Sequence, residues 1–161
     1  MNASSKASPE IHLVIKKSER TLVVYSDGEA VKKIGISLGF EPGGDKNIEG
    51  DGRTPEGEFY VFTKNDKSSF FLSLGLSYPN AEDADRGLSE GLISEAEHSE
   101  ILKAIANRAM PPQTTALGGE IYIHGGGCDG DWTKGCIALD NDKMQELFDI
   151  AAKGTRVSIL P

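Results

Sequence analysis

Residues 120–141 of the chain read EIYIHGGGCDGDWTKGCIALDN. A histidine ends the first apolar run, and five glycines and two cysteines follow within the next twelve positions. This pattern predicts a strand, Ile121–His124, a glycine-rich loop, and a second short apolar run, Ile137–Leu139. A hydrophobic core does not need this density of Gly, Cys and His. We therefore interpret the stretch as the centre of the fold and as the candidate site.

A cysteine and a histidine at the two ends of the loop favour covalent catalysis. A free cysteine thiol has a pKa of about 8.5, and it attacks a carbonyl only as thiolate. It therefore needs a base, which is usually a histidine. We predict Cys136 as the nucleophile and His124 as its base. The N–H groups of Gly135 and Cys136 are candidates to hold an oxyanion. A backbone carbonyl such as that of Gly125 is a candidate to orient the imidazole.

Other interpretations of the same residues stay open. Taken singly, a cysteine is more often an inert core residue, and a histidine more often a surface group. A zinc-binding module is an alternative because His124, Cys128, Asp129 and Cys136 supply ligands that zinc accepts, although their spacing matches no familiar paired pattern. A disulfide between the two cysteines would make a redox switch if their Cα atoms lie close enough. We favour an incidental loop thiol for Cys128 and predict no metal site.

The composition predicts one globular domain. The chain has 161 residues, of which 38% are hydrophobic and 26% charged, and its 19 glycines indicate many turns and strands. The net charge of −8 argues against nucleic acid and anionic membranes as partners, since both attract clustered Lys and Arg. No apolar run approaches the roughly 18 residues of a membrane span. The polar N-terminus has no signal-peptide pattern, which fits a cytosolic protein or a mature exported one.

The first half of the chain predicts antiparallel strands after a flexible tail, residues 1–10. The Asp27-Gly28 pair between β-branched runs is typical of a hairpin, and a bulge is expected near Lys32-Lys33. Two further strands, Phe59–Thr63 and Phe70–Leu76, are expected on either side of a polar turn, KNDKSS. The predicted core-facing side chains of the first strands are Leu22, Val24, Val31, Ile34, Ile36 and Leu38.

Helices are expected in the second half. The segment Ser94–Ala109 has helical apolar spacing, and its first residue forms a capping box with Glu97. A last helix is expected to run through Lys153 from a cap at Asn141 or Asp142, and a closing strand follows. The order of elements predicts a mainly β fold with packed helices (α+β), as one domain over residues 11–161.

Two motifs resemble a known family. IHG at residues 123–125, followed by TKGCIAL at residues 133–139, is similar to the signature of the L,D-transpeptidase catalytic domain family, the YkuD-like cysteine transpeptidases of peptidoglycan. The stretch GDGRTPEGEF, residues 50–59, resembles a second motif of that family. The similarity covers roughly residues 11–160. It implies an L,D-transpeptidase-like β-sandwich with a helical insertion.

The resemblance also implies roles for individual residues. Cys136 would be acylated, His124 would be the general base, and the carbonyl of Gly125 would orient the imidazole. Thr133, Lys134 and Gly135 would form the loop that presents the thiol. Trp132 would line the cleft beside Cys136, although a core aromatic is the interpretation we favour slightly.

The chain departs from the family pattern at two positions. Lys134 stands where many members have a second histidine, and Ala138 stands where they have an arginine. His124 is then the one base expected near Cys136. Lys134 would favour the thiolate by its charge or bind a substrate carboxylate. These departures bear on the outcome of the reaction more than on the nucleophile.

The implied activity is acyl transfer on peptidoglycan stem peptides through a Cys136 thioester, in the periplasm or cell envelope, with no cofactor. An amine acceptor would give a cross-link or attach a wall-bound protein. Water as acceptor would give an L,D-carboxypeptidase or endopeptidase, and a catalytically dead wall-binding protein is a further alternative. The segment Ala81–Leu117 is interpreted as a lid or groove wall, or as structural packing. The glycine-rich loop over residues 41–57 is interpreted either as a connecting loop or as a segment that shapes the site.

Overall fold

The computed structural model describes residues 8–161, so most of the predicted tail lies outside the described residues. In the described part, eight strands and three α-helices are present. The strands are β1 (Ile11–Lys16), β2 (Thr21–Ser26), β3 (Glu29–Gly35), β4 (Gly57–Ser68), β5 (Phe71–Leu76), β6 (Tyr122–His124), β7 (Ile137–Ala138) and β8 (Arg156–Leu160). The helices are α1 (Ala81–Ser89), α2 (Glu95–Ala106) and α3 (Asn141–Ile150).

These strands form one curled sheet in the order β3-β2-β1-β8-β4-β5-β6-β7. The pairs β1–β8 and β6–β7 are parallel, and the other pairs are antiparallel. Isolated bridges from Ser37 to Ala138 and from Gly39 to Thr133 join the chain after β3 to the opposite end of the sheet. The two edges of the sheet therefore meet, and the glycine-rich loop lies at this seam.

The hairpin at Asp27-Gly28 is confirmed, with both residues in the left-handed region at φ 49° and 86°. Most of the predicted core-facing side chains of β2 and β3 are buried. Val31 is the exception and is 53% exposed. The register of β2 and β3 shifts so that Tyr25 pairs with Ala30 and Val24 with Lys32, which leaves Val31 at the bulge. The prediction that Val31 faces the core was therefore wrong.

The predicted turn KNDKSS is also wrong, because β4 continues through most of it. Lys64 and Asn65 pair with Leu74 and Ser73 of β5, and the chain reverses only at residues 69–70. These polar residues lie at an exposed end of the ladder, where strand pairing does not require an apolar side chain. The longer hairpin carries Phe70 to the candidate site.

The helical insertion, residues 81–117, has a small hydrophobic core of its own. Capping boxes begin both helices, from Asn80 and Asp83 at α1 and from Ser94 and Glu97 at α2. The predicted capping box of α2 is confirmed, although the helix ends at Ala106 rather than Ala109. The core of the insertion consists of Ala84, Ile93, Ile101 and Leu117, with Leu88, Leu92, Leu102 and Ile105 packed against it.

The last helix differs from its prediction at both ends. Asp140 is the N-cap residue of α3 and makes no side-chain cap bond, and the helix ends at Ile150 rather than Lys153. Asn141, predicted as a cap, uses its side chain elsewhere, as described below. The fold class predicted from the sequence, mainly β with packed helices (α+β), is confirmed. No helix in residues 8–161 is long and apolar enough to cross a membrane.

Candidate active site

A cavity of about 610 Å³ opens beside the seam of the sheet. Its walls come from the loop before β4, the turn between β4 and β5, the chain before β6, and the glycine-rich loop. Five of the residues singled out from the sequence line it, namely His124, Trp132, Thr133, Lys134 and Cys136. Gly125 and Gly135 adjoin these residues in the chain but do not line the cavity. All of residues 81–117 are described, and none of them lines it.

His124 ends β6 and is only 4% exposed. Its Nδ1 lies 2.6 Å from the carbonyl oxygen of Gly125. Since a carbonyl can only accept, Nδ1 carries the hydrogen and Nε2 has the free lone pair. Burial lowers the pKa of His124, and the bond to Gly125 offsets part of that effect. The imidazole is therefore neutral at neutral pH, with one nitrogen available as a base.

Two aromatic rings hold the imidazole in place. The ring of Phe70 stacks on His124 with centroids 4.8 Å apart, and Trp132 meets it edge-on at 5.6 Å. The indole N–H of Trp132 donates to the carbonyl of Gly127 at 3.0 Å, which fixes the ring over the loop. Trp132 is 43% exposed and lies on the cavity wall, so the favoured core interpretation was wrong. Phe70 was not singled out from the sequence, because its role depends on where the turn falls.

Cys136 lies on the cavity with its thiol engaged by backbone groups. Sγ donates to the carbonyl oxygen of Glu120 at 3.3 Å and accepts from the N–H of Tyr122 at 3.4 Å. Burial raises the pKa of Cys136 to about 11, and the N–H of Tyr122 and the Lys46 ammonium reduce this shift. Among the hydrogen bonds of residues 8–161, none joins the thiol to His124. The resting thiol is therefore protonated and is turned to the backbone.

Thr133 ties together the loop that presents the thiol. Its hydroxyl donates to the carbonyl of Cys136 at 2.7 Å and accepts from the N–H of Gly135 at 3.1 Å. This second bond occupies the Gly135 N–H that is predicted to hold an oxyanion. Gly135 has φ +135°, and a Cβ there would lie 2.8 Å from the carbonyl oxygen of Arg53. Glycine is required at that position because the two loops touch.

Two lysines near the cavity differ in their environment. Lys134 is exposed on the rim. Lys46 is 2% exposed, and its ammonium donates to the carbonyl of Ile48 at 2.9 Å and to Asp51 at 3.0 Å. Asp51 also accepts three backbone N–H bonds from the same loop. The loop over residues 41–57 is thus an ordered wall of the site rather than a simple connection.

Polar side chains anchor the glycine-rich loop to the rest of the fold. Asp131 accepts a forked bond from the Arg20 guanidinium, with a shortest distance of 2.8 Å, and the N–H of Leu38 at 2.9 Å. Asn141 accepts the N–H of Gly126 at 2.9 Å. These side chains hold the loop at both ends, so the thiol and the imidazole face one cavity.

Cys128 lies apart from this site. Both cysteines are free thiols, and Cys128 does not line the cavity. Burial and the neighbouring Asp140 raise the pKa of Cys128. Among residues 8–161, no three His, Cys, Asp or Glu side chains come together as metal ligands would. The zinc set built on His124 and the two cysteines is therefore not assembled.

The described fold is a curled sheet with three helices, in which a strand-end histidine and a loop cysteine line one cavity. The model of the L,D-transpeptidase catalytic domain, YkuD, matches residues 10–159, and the chain belongs to this family. The resemblance inferred from the IHG and TKGCIAL motifs is thereby confirmed.

Solved structures show the same fold. A variant of the helical cell shape determining protein Pgp2 from Campylobacter jejuni is 25% identical with a TM-score of 0.66, over 94% of this chain and 47% of that one. Bd1075 of Bdellovibrio bacteriovorus is 18% identical with a TM-score of 0.62, over 94% and 48%. L,D-transpeptidase 1 of Mycobacterium tuberculosis is 15% identical with a TM-score of 0.55, over 95% and 62%. The chain spans about half to three fifths of their lengths. No curated protein sequence matches it.

Proposed function

We propose that the protein is an L,D-transpeptidase-type enzyme that transfers acyl groups from peptidoglycan stem peptides through Cys136. The observation that carries this proposal is the cavity shared by Cys136 and His124, in a chain of the family. The hydrogen bond from Nδ1 of His124 to Gly125 supports it further, because it leaves Nε2 as the base.

Acylation begins when a stem-peptide carbonyl enters the cavity above Cys136. The thiol turns from Glu120, gives its proton to Nε2 of His124, and Sγ forms a bond to the carbonyl carbon. The N–H of Cys136 is the candidate donor to the resulting oxyanion, since the N–H of Gly135 is bonded to Thr133. His124 then protonates the leaving amine of the terminal residue, and a thioester remains on Cys136.

Deacylation decides the product. An amine acceptor that loses its proton to His124 attacks the thioester and forms a new amide, as in cross-linking or attachment of a wall-bound protein. Water attacking in the same way releases a shortened peptide, which is the carboxypeptidase or endopeptidase outcome. The thiol regains its proton in both cases. We place the enzyme in the periplasm or cell envelope, where peptidoglycan lies, with stem peptides as its partners.

Incubation with tetrapeptide and pentapeptide muropeptides, with and without an amine acceptor, tests the proposal by mass spectrometry. We expect a mass adduct on the peptide that contains Cys136, and a product whose mass includes the acceptor. A shortened peptide alone, in the presence of acceptor, would identify a hydrolase.

Cys136→Ala is the control for the nucleophile. We expect it to lose the adduct and all turnover while it keeps its unfolding temperature, because the side chain lies on a loop at the cavity. Cys128→Ala is the matched cysteine variant outside the cavity, and we expect it to retain both. Turnover that survives in Cys136→Ala would refute the proposed function.

A further inference from the structure

Glu120, directly before β6, has an unusual backbone conformation. Its φ is +56°, in the left-handed region that residues other than glycine and asparagine rarely adopt. The backbone N–H of Glu120 donates to the side-chain oxygen of Gln113 at 2.7 Å. Gln113 lies near the end of the helical insertion, and this hydrogen bond holds Glu120 in its conformation.

The amide of Gln113 is itself held at its other end. Its Nε2 donates to the carbonyl of Tyr78 at 2.9 Å and to that of Pro111 at 2.9 Å. The backbone of Gln113 lies against Gly119, where an added Cβ would be 2.6 Å from the backbone carbonyl oxygen of Gln113. Both polar atoms of the Gln113 side chain are used, Nε2 as donor to two carbonyls and Oε1 as acceptor, so the side chain is a fixed link between the insertion and the cavity wall.

The carbonyl of Glu120 is the acceptor for the thiol of Cys136, at 3.3 Å. A thiol has one proton, and it cannot be donated to Glu120 and to His124 at once. A hydrogen bond from the neutral form also favours that form over the thiolate. The bond to the Glu120 carbonyl therefore acts together with burial to keep the thiol protonated.

We propose that Gln113 is a positioning residue for the nucleophile, which fixes Glu120 so that its carbonyl holds the proton of Cys136 away from His124. The helical insertion lines no part of the cavity, and it acts on the site through this chain of contacts. The inference rests on the proposed role of Cys136 as the nucleophile.

Alkylation of Cys136 by iodoacetamide across a pH series tests the inference without turnover. Gln113→Met keeps the length of the side chain and removes the hydrogen bonds. We expect the midpoint of its Cys136 profile to move down by about one pH unit, which raises the alkylation rate at neutral pH about tenfold. Gly119→Ala would push on the backbone of Gln113 and so move its amide away from Glu120 without changing the Gln113 side chain, and we expect a shift in the same direction. If Gln113→Met does not fold, the alkylation profile of Gly119→Ala tests the inference in its place.

Cys128 is the internal control, read by mass spectrometry in the same samples. Its profile should not move, because it lies beside Asp140 and outside the cavity. Glu120→Gln removes the carboxylate and keeps the backbone contact, so it measures the contribution of that charge alone. An alkylation profile of Cys136 that is unchanged in both Gln113→Met and Gly119→Ala would overturn the inference. A shift that the Cys128 profile shares would overturn it as well. Turnover that persists in Cys136→Ala would instead refute the proposed function and leave the alkylation result intact.

Discussion

The two sides of the cavity hold their reactive groups in different ways. On one side, the imidazole of His124 is bonded to Gly125 and packed against Phe70 and Trp132, with its free nitrogen available. On the other side, the thiol of Cys136 is bonded to Glu120, and its pKa is raised to about 11. The proposed base is thus oriented in the resting protein, whereas the proposed nucleophile has to leave its hydrogen bond to Glu120 before it can attack.

For the proposed acylation, this difference predicts separate effects of substitutions on the two sides of the cavity. A pair in which both groups are neutral reacts by proton transfer during the attack, rather than from a preformed thiolate and imidazolium. Substitutions on the His124 side should therefore change the rate of proton transfer, and substitutions on the Cys136 side should change the pKa of the thiol. The two can be measured separately, by acylation and by alkylation.

The largest effect is expected for His124→Ala. Loss of a general base should slow acylation by muropeptide roughly 10²–10⁴-fold, as measured by the rate of adduct formation. The alkylation profile of Cys136 should stay in place, because burial rather than His124 raises its pKa. An acylation rate close to that of the unchanged protein would remove His124 as the base.

The pH dependence of acylation is the second test of the proposed base. Burial lowers the pKa of His124 from its ordinary value, so the imidazole stays deprotonated to lower pH than a free one. The kcat/KM for acylation should therefore be level across neutrality and fall about tenfold per pH unit only below that pKa. A lower limb centred above pH 7 would contradict a neutral resting pair.

Phe70→Leu should have a smaller effect on the same side. It removes the ring that stacks on His124 and lets the imidazole turn, so we expect acylation to slow roughly tenfold. Phe71→Leu is the matched control, since Phe71 is a neighbouring exposed ring outside the stack on His124. Equal losses in both variants would show that the hairpin, rather than the stack, is responsible.

The smallest effect is expected for Lys46→Met on the Cys136 side. The Lys46 ammonium lowers the pKa of the thiol, so its loss should raise that pKa by about half a unit and slow alkylation of Cys136 roughly threefold. Lys17→Met is the control, because Lys17 is also buried in an ion pair, at 3.0 Å from Glu56, but lies outside the cavity.

Both lysine variants should destabilise the protein by roughly 1–3 kcal/mol in chemical unfolding, since each leaves a partly buried carboxylate without its cation. Only Lys46→Met should also change the alkylation rate. If Lys17→Met slows alkylation equally, the effect comes from loosening of the loop and not from the charge.

Features that depend on neighbouring residues in the chain could be predicted from the sequence. The hairpin at Asp27-Gly28 and the capping box of Ser94 and Glu97 are local, and both were predicted correctly. The prediction of a turn at KNDKSS was wrong because β4 keeps its pairing with β5 through these polar residues, at an exposed end of the sheet. The predicted end of α3 was wrong because Ala151 adopts an extended conformation, which ends the helix before the chain turns towards β8.

In the candidate site, too, local features could be predicted from the sequence and contacts between distant residues could not. The motifs around His124 and Cys136 placed both residues on one cavity, because strand and loop signals are local. Phe70, Lys46 and Gln113 were not singled out, since each acquires its role from a contact across the fold. The hydrogen bond from the Gly135 N–H to Thr133 could not be predicted from the sequence, because it depends on the backbone conformation of the loop.

The bridges from Ser37 to Ala138 and from Gly39 to Thr133 also have a consequence for folding. They join residues on the order of a hundred positions apart, and such non-local pairings carry a large loop-closure entropy and form slowly. The loop that carries Cys136 lies at this junction, so we expect it to acquire its geometry after most of the sheet has formed. Protection of Cys136 from alkylation during refolding should therefore lag behind recovery of secondary structure, because the thiol pKa rises only when Cys136 is buried at the junction.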